Sequence, residues 1–144
     1  HPYMEVNFPN CPSWFNEGMG SLYEQSTIKD GKIWGDTNWR LAGLKTAINK
    51  GKLPTFEKLM SMSTSEFYGG QNGNYSSNYA QSRYLLYYLQ EKSLLKTYYK
   101  EFTKNQKEDP TGFATIKKLL NETDMLDFQK RWEAYALKLT FNGK

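Results

Sequence analysis

Apolar residues near the C-terminus recur at helical spacing: Phe128, Trp132, Tyr135, Ala136 and Leu139 stand at i, i+4, i+7, i+8 and i+11. That interval places all five on one face of a helix and does not fit the alternation of a half-buried strand. The same pattern runs through Ala80, Tyr84, Leu85, Tyr88 and Leu89, predicting a long helix over about 77–90. It continues through Leu95, Tyr98, Tyr99 and Phe102, then Phe113, Ile116, Leu119 and Leu120. Earlier in the chain, Trp39, Leu41, Leu44 and Ile48 mark a helix over Asn38–Asn49, with Gly51 beyond its end as a C-cap. Leu53-Pro54-Thr55 breaks the chain before a short helix over 56–60, and Ser63-Thr64-Ser65-Glu66 is a capping-box pattern. Asp109-Pro110 and Thr123-Asp124 read as starts of the last two helices. The expectation is an all-α chain, a single compact bundle of six to seven helices over residues 1–144, with no convincing strand pairs and no fixed repeat.

With 24% charged and 38% hydrophobic residues in 144, the chain can bury a workable core and is neither disordered nor collagen-like. No apolar run reaches the roughly 18 residues of a transmembrane helix, so no membrane contact is expected. The net charge is +4 and the pI about 9.0, but the excess is lysine scattered among acids. The three arginines, Arg40, Arg83 and Arg131, are few for phosphate or guanine recognition, so no nucleic-acid partner is expected. One cysteine, Cys11, excludes an internal disulfide and a multi-cysteine zinc site. One histidine, His1, leaves no room for a three-histidine zinc site. The opening His1-Pro2-Tyr3 has no signal-peptide pattern and reads as the start of a fragment.

The informative string is Pro12-Ser13-Trp14-Phe15-Asn16-Glu17-Gly18-Met19-Gly20-Ser21-Leu22-Tyr23-Glu24. Proline suits a first helical position, so a helix is expected from about residue 12 to Gln25. Glycine costs about 1 kcal/mol against alanine inside a helix, so Gly18 and Gly20 call for a reason. The usual reason is the close approach of another backbone or of a ligand. Glu24 follows Glu17 by seven residues and shares its face.

This W-x-N-E-G-x-(A/G)-x-x-x-E string resembles the third-ligand helix of the gluzincin zinc metallopeptidases. The zinc aminopeptidases and a set of bacterial peptidase-MA-like proteins carry a similar one. In that clan an H-E-x-x-H helix supplies two histidine ligands and the general-base glutamate, and the glutamate of N-E-G is the third ligand. The resemblance implies that Glu17 binds Zn2+ and that His1, sixteen residues earlier, is the second histidine of a motif interrupted by the chain start. The His1-Pro2 step resembles the point where that helix ends in the peptidase-MA-like proteins. The chain is then the C-terminal part of a gluzincin-like catalytic domain. Gly20 stands where alanine is common, and the first histidine and the catalytic glutamate are not in this sequence.

The resemblance further implies Asn16 and Glu24 as residues that orient ligands, and Tyr79 or Tyr75 as the stabiliser of a developing oxyanion. It implies a peptide or protein substrate and Zn2+ in the intact protein, with the fragment itself inactive and holding no metal. The alternative expectation is a non-catalytic helical module that binds a peptide or glycan on its Tyr/Trp-rich surface.

Overall fold

The structure, a computed structural model, describes residues 8, 10–24, 26–69 and 75–141. Its elements are α1 (Ser13–Glu24), β1 (Ser26–Lys29), β2 (Lys32–Gly35), α2 (Arg40–Asn49), α3 (Phe56–Met60), α4 (Thr64–Phe67), α5 (Tyr75–Glu91), α6 (Leu95–Asn105), α7 (Phe113–Leu119) and α8 (Met125–Leu137). The fold is mostly helical, with six longer helices and the single turns α3 and α4 among the described residues. His1 lies outside the described residues.

The boundaries follow local chemistry. Ser63 Oγ accepts from Glu66 N and Glu66 Oε1 accepts from Ser63 N, closing the expected capping box of α4. Asp124 caps α8 through Leu126 N and Asp127 N. Gly51, at φ +64°, follows α2 in the left-handed conformation that ends helices. Asp109 also caps, from farther back than expected. Pro110 sits in a turn instead of opening α7, and Asp109 Oδ2 accepts from Thr115 N at 2.7 Å. Pro54 holds the break before α3: its carbonyl accepts from the amides of Gln81 and Gln129, and Gln129 Oε1 accepts from Phe56 N.

The expectation of no strand pairs is corrected by a β-hairpin. β1 and β2 pair antiparallel, Ile28 opposite Ile33 and Lys29 opposite Lys32. The turn between them is Asp30-Gly31, with φ of 51° and 76°. Two positive φ values make a type I′ turn, whose twist matches the strands. Ile28 is 73% and Ile33 61% exposed, so the pair faces solvent. The base of the hairpin is held by Gln90 of α5, which accepts from Gly35 N and donates to Gly35 O, both at 2.8 Å.

Each of the eight helices among the described residues contributes to the buried apolar core. Two aromatic groups stand out. Phe15 of α1 meets Phe8, Tyr98 and Phe102 with ring centroids 5.5–5.7 Å apart. Phe56, Phe128 and Trp132 form the other, joined by Tyr88 and Tyr135. The Tyr84–Phe102 stripe is therefore core: Tyr84, Leu85, Leu89, Leu95, Tyr98 and Phe102 are all buried. Trp39 departs from its helical pattern and is 60% exposed.

Candidate functional site

The helix carrying the informative string, α1, packs along α5. Gly18 makes that approach possible. A Cβ there would lie 2.8 Å from Leu86 Cδ1 and 3.2 Å from both Ser82 Cβ and Ser82 O. A neighbouring helix thus accounts for this glycine. Trp14 anchors the start of α1: its indole N–H donates to Thr111 O at 2.8 Å and its ring packs on Phe15.

Glu17, Ser21 and Glu24 lie along one face of α1. Glu17 is half-buried, and its carboxylate takes no hydrogen bond or ion pair from any described residue. Beside it in the chain, Asn16 Oδ1 is buried and has no hydrogen-bond partner among the described residues. Buried acceptors normally find donors, so both positions have capacity left for a donor or cation. Among the described residues no group of three or more His, Cys, Asp or Glu could hold a metal. Among the described residues, Glu17 thus has no companion set of metal-ligating side chains around it.

Glu24 is engaged differently. Its Oε1 accepts from Arg40 Nε and from Asn38 Nδ2, each at 3.4 Å. Tyr79 is buried, with the Arg40 guanidinium 3.9 Å from its ring centroid. It belongs with Glu24 and Arg40 in one cluster. Tyr75 is the first residue of α5, and its side chain lies outside the described set.

The structure adds a buried polar centre next to this cluster. Arg83 is fully buried on α5. Its guanidinium donates to Ser21 O and Asp36 O, and to Ser21 Oγ at 3.1 Å, while its Nε has no partner among the described residues. No carboxylate forms a salt bridge with it among the described residues. Burial lowers its pKa from the ordinary arginine value. Tyr84 Oη accepts from Asn38 N at 2.8 Å, and burial raises its pKa. Asn38 Oδ1 in turn accepts from Arg40 N at 3.0 Å at the start of α2. Arg83 ties α1 to the exit of the hairpin. Asn38 and Tyr84 tie the start of α2 to α5. One signal for Arg83 was present in the sequence: an arginine beside Tyr84, Leu85 and Leu86, in the middle of a core stripe.

Burial holds the Cys11 thiol in its protonated form. Burial pushes its thiol up to about 12, against a weaker lowering by the Asn16 backbone N–H. The thiolate fraction at pH 8 is then on the order of 10⁻⁴. Alkylation of the folded chain by iodoacetamide at pH 8 is expected to run at least about a hundredfold slower than for a free thiol. A rate matching the urea-unfolded chain would contradict this.

Comparison with family models, with curated proteins and with solved structures finds no match for this chain.

Proposed function

We propose that the chain is the C-terminal, helical part of a gluzincin-type zinc metallopeptidase domain, with Glu17 as the third zinc ligand. The observation that carries this reading is the Glu17 carboxylate, half-buried on a helix held by Trp14 and Gly18 and engaged by no described residue. Asn16, with its orphaned amide oxygen, is the residue placed to hold a ligand or a water beside it. Zinc bound there would supply Lewis acidity to a water and to the scissile carbonyl. Each residue of this chain has its own part. Glu17 offers a carboxylate ligand on a rigid element. Trp14 and Gly18 fix where that carboxylate stands. Two histidines and the general base come, on this reading, from an H-E-x-x-H helix of the same protein, and His1 is the candidate for one of them.

The test is zinc titration, by calorimetry after chelator treatment, of the encoded protein extended through the residues that precede His1. One zinc per chain is expected. Glu17→Ala is expected to weaken binding by more than about a hundredfold, since even outer partners of a metal ligand cost 10–100-fold. Glu17→Gln should behave like the alanine variant, because it keeps the shape and loses the anionic ligand. An extended protein without H-E-x-x-H, or zinc binding indifferent to Glu17, overturns the reading and leaves a helical binding module.

A further inference from the structure

We propose that the solvent face of α6 is a docking surface for the anionic headgroups of a lipid bilayer. The net charge of the chain sits there. Residues 92–118, which hold α6 and most of α7, carry seven lysines and only three acids, Glu101, Glu108 and Asp109. That surplus of four equals the +4 of the whole chain, so the charges outside this stretch cancel. Lysines that read as scattered along the sequence are thus gathered on one unit: α6 packs on α7, and Tyr98 Oη donates to Gly112 O between them. Concentration of one sign of charge on one part of a surface favours an anionic partner.

Helix geometry lines three of these lysines up. Leu95, Tyr98 and Phe102 turn one face of α6 into the core. Lys96, Lys100 and Lys104 follow one another at i, i+4 and i+8 on the opposite face, all exposed. Their steps are about 6 Å, within the Debye length of about 8 Å at physiological salt, so they act on a partner together. Lys92 and Lys107, also exposed, stand just before and just after the helix. Like charges at i, i+4 destabilise a helix, and no ion pair among the described residues offsets them. Glu101 lies about 100° round the helix from Lys100, on the flank of the row. Glu108 lies beyond the helix end, and Asp109 is taken up as a cap on Thr115 N. Every salt bridge among the described residues belongs to Arg40 or Arg131.

The residue types select the partner. Lysine is a compact, mobile, strongly hydrated charge that responds to charge density, whereas the fork of arginine fits single phosphates and guanine edges. Residues 92–118 contain no arginine. None of the exposed large apolar side chains lies among them, so no ring is offered for a base to stack on. A row along the outer face of a helix meets a flat surface along its whole length. A bilayer with anionic lipids attracts a cluster of lysines by about fivefold in affinity for each, that is about 1 kcal/mol. No helix among the described residues is long and apolar enough to cross a membrane. This contact asks for none, because α6 keeps its apolar face in the core and meets headgroups only.

The experiment is cosedimentation of the 144-residue chain with vesicles of phosphatidylcholine, alone or with about one third phosphatidylglycerol. Binding to the anionic vesicles and none to the neutral ones is expected. It should fall at least about tenfold between about 0.1 M and about 1 M salt, as the Debye length shrinks from about 10 Å to about 3 Å. The triple variant Lys96→Gln, Lys100→Gln, Lys104→Gln is expected to bind about a hundredfold more weakly, from three factors of about five. Lys50→Gln, Lys52→Gln, Lys58→Gln removes the same charge from other exposed positions and should cost less than about threefold. The α6 variant should be at least as stable to urea as the parent, since its like-charge pairs are gone. Equal binding to both kinds of vesicle, binding to neither, or equal losses in the two triple variants overturns the proposal. So does displacement by glycerol 3-phosphate at the headgroup concentration, which would mean that a single phosphate is read and not a surface. Tighter binding to a single-stranded oligonucleotide than to the vesicles overturns it in favour of nucleic acid. The lipid and salt comparisons use the unaltered chain, so no folding defect of a variant enters them, and none of these results depends on Glu17 or zinc.

Discussion

Gly112→Ala is expected to destabilise the fold by about 3 kcal/mol or more, the combined cost of left-handed backbone strain and overpacking. Gly112 precedes α7 at φ +82°, where an L side chain is strained. The added Cβ would stand 2.2 Å from Tyr98 Oη, 2.7 Å from Phe102 Cε2 and 2.8 Å from Phe102 Cζ. Neither ring can yield cheaply. Phe102 packs against Phe8, Phe15 and Tyr98. Tyr98 is fully buried and donates its hydroxyl to Gly112 O at 2.9 Å, and burial holds its pKa well above the ordinary tyrosine value. Moving Tyr98 away would leave its buried hydroxyl without its acceptor, a further cost of about 1–3 kcal/mol. Urea denaturation measures the effect directly. The midpoint should fall with the slope unchanged, and the melting temperature should drop by about 10 °C. A variant within 1 kcal/mol of the parent would show that the two rings relax without loss.

Features that depend on a few adjacent residues were legible in the sequence. Ser63 with Glu66, Asp124 and Gly51 act within one turn of their own positions, and each does in the structure what its residue type predicts. The helix stripes were legible because burial repeats with the helical period. The hairpin was legible too and was missed. Asp30-Gly31 between Ile28 and Ile33 is a strong local turn signal. The isoleucines point to solvent, however, so the in-and-out alternation that identifies a strand has no buried side here. Asp109 shows a third case. Its capping role was visible, but the turn Pro110-Thr111-Gly112 delays α7 by three residues and carries the cap to Thr115.

The candidate site was legible only where it is local. Glu17 and Asn16 stand out by their string. Gly18 needed an explanation that sequence leaves open between ligand and helix, and Leu86 and Ser82 supply it from 68 and 64 residues away. Arg83 and Arg40 were invisible as a pair because their partners are distant: Ser21 is 62 residues from Arg83, and Tyr79 reaches Arg40 from another helix. Glu24 changes meaning for the same reason. Read along α1 it shares the face of Glu17; in space it is bound to Arg40 and Asn38.

Trp14→Ala is expected to cost about 4 kcal/mol, the usual range for emptying a buried tryptophan site being 3–5 kcal/mol. Trp14 is buried between α1 and the segment that leads into α7. Its ring lies 5.3 Å from Phe15 and 6.2 Å from Tyr98, so truncation opens a cavity beside the aromatic group that also surrounds Gly112. Trp14→Phe separates the two parts of the effect. It keeps most of the apolar contact but cannot donate to Thr111 O, and should cost about 1–2 kcal/mol. Because Trp14 is one turn from Glu17, the phenylalanine variant should keep α1 in place and the alanine variant should let its first turn fray. Hydrogen exchange at the amides of Asn16 and Glu17 reads that difference. Equal destabilisation and equal exchange in the two variants would mean that the bond to Thr111, and not ring packing, fixes this end of α1.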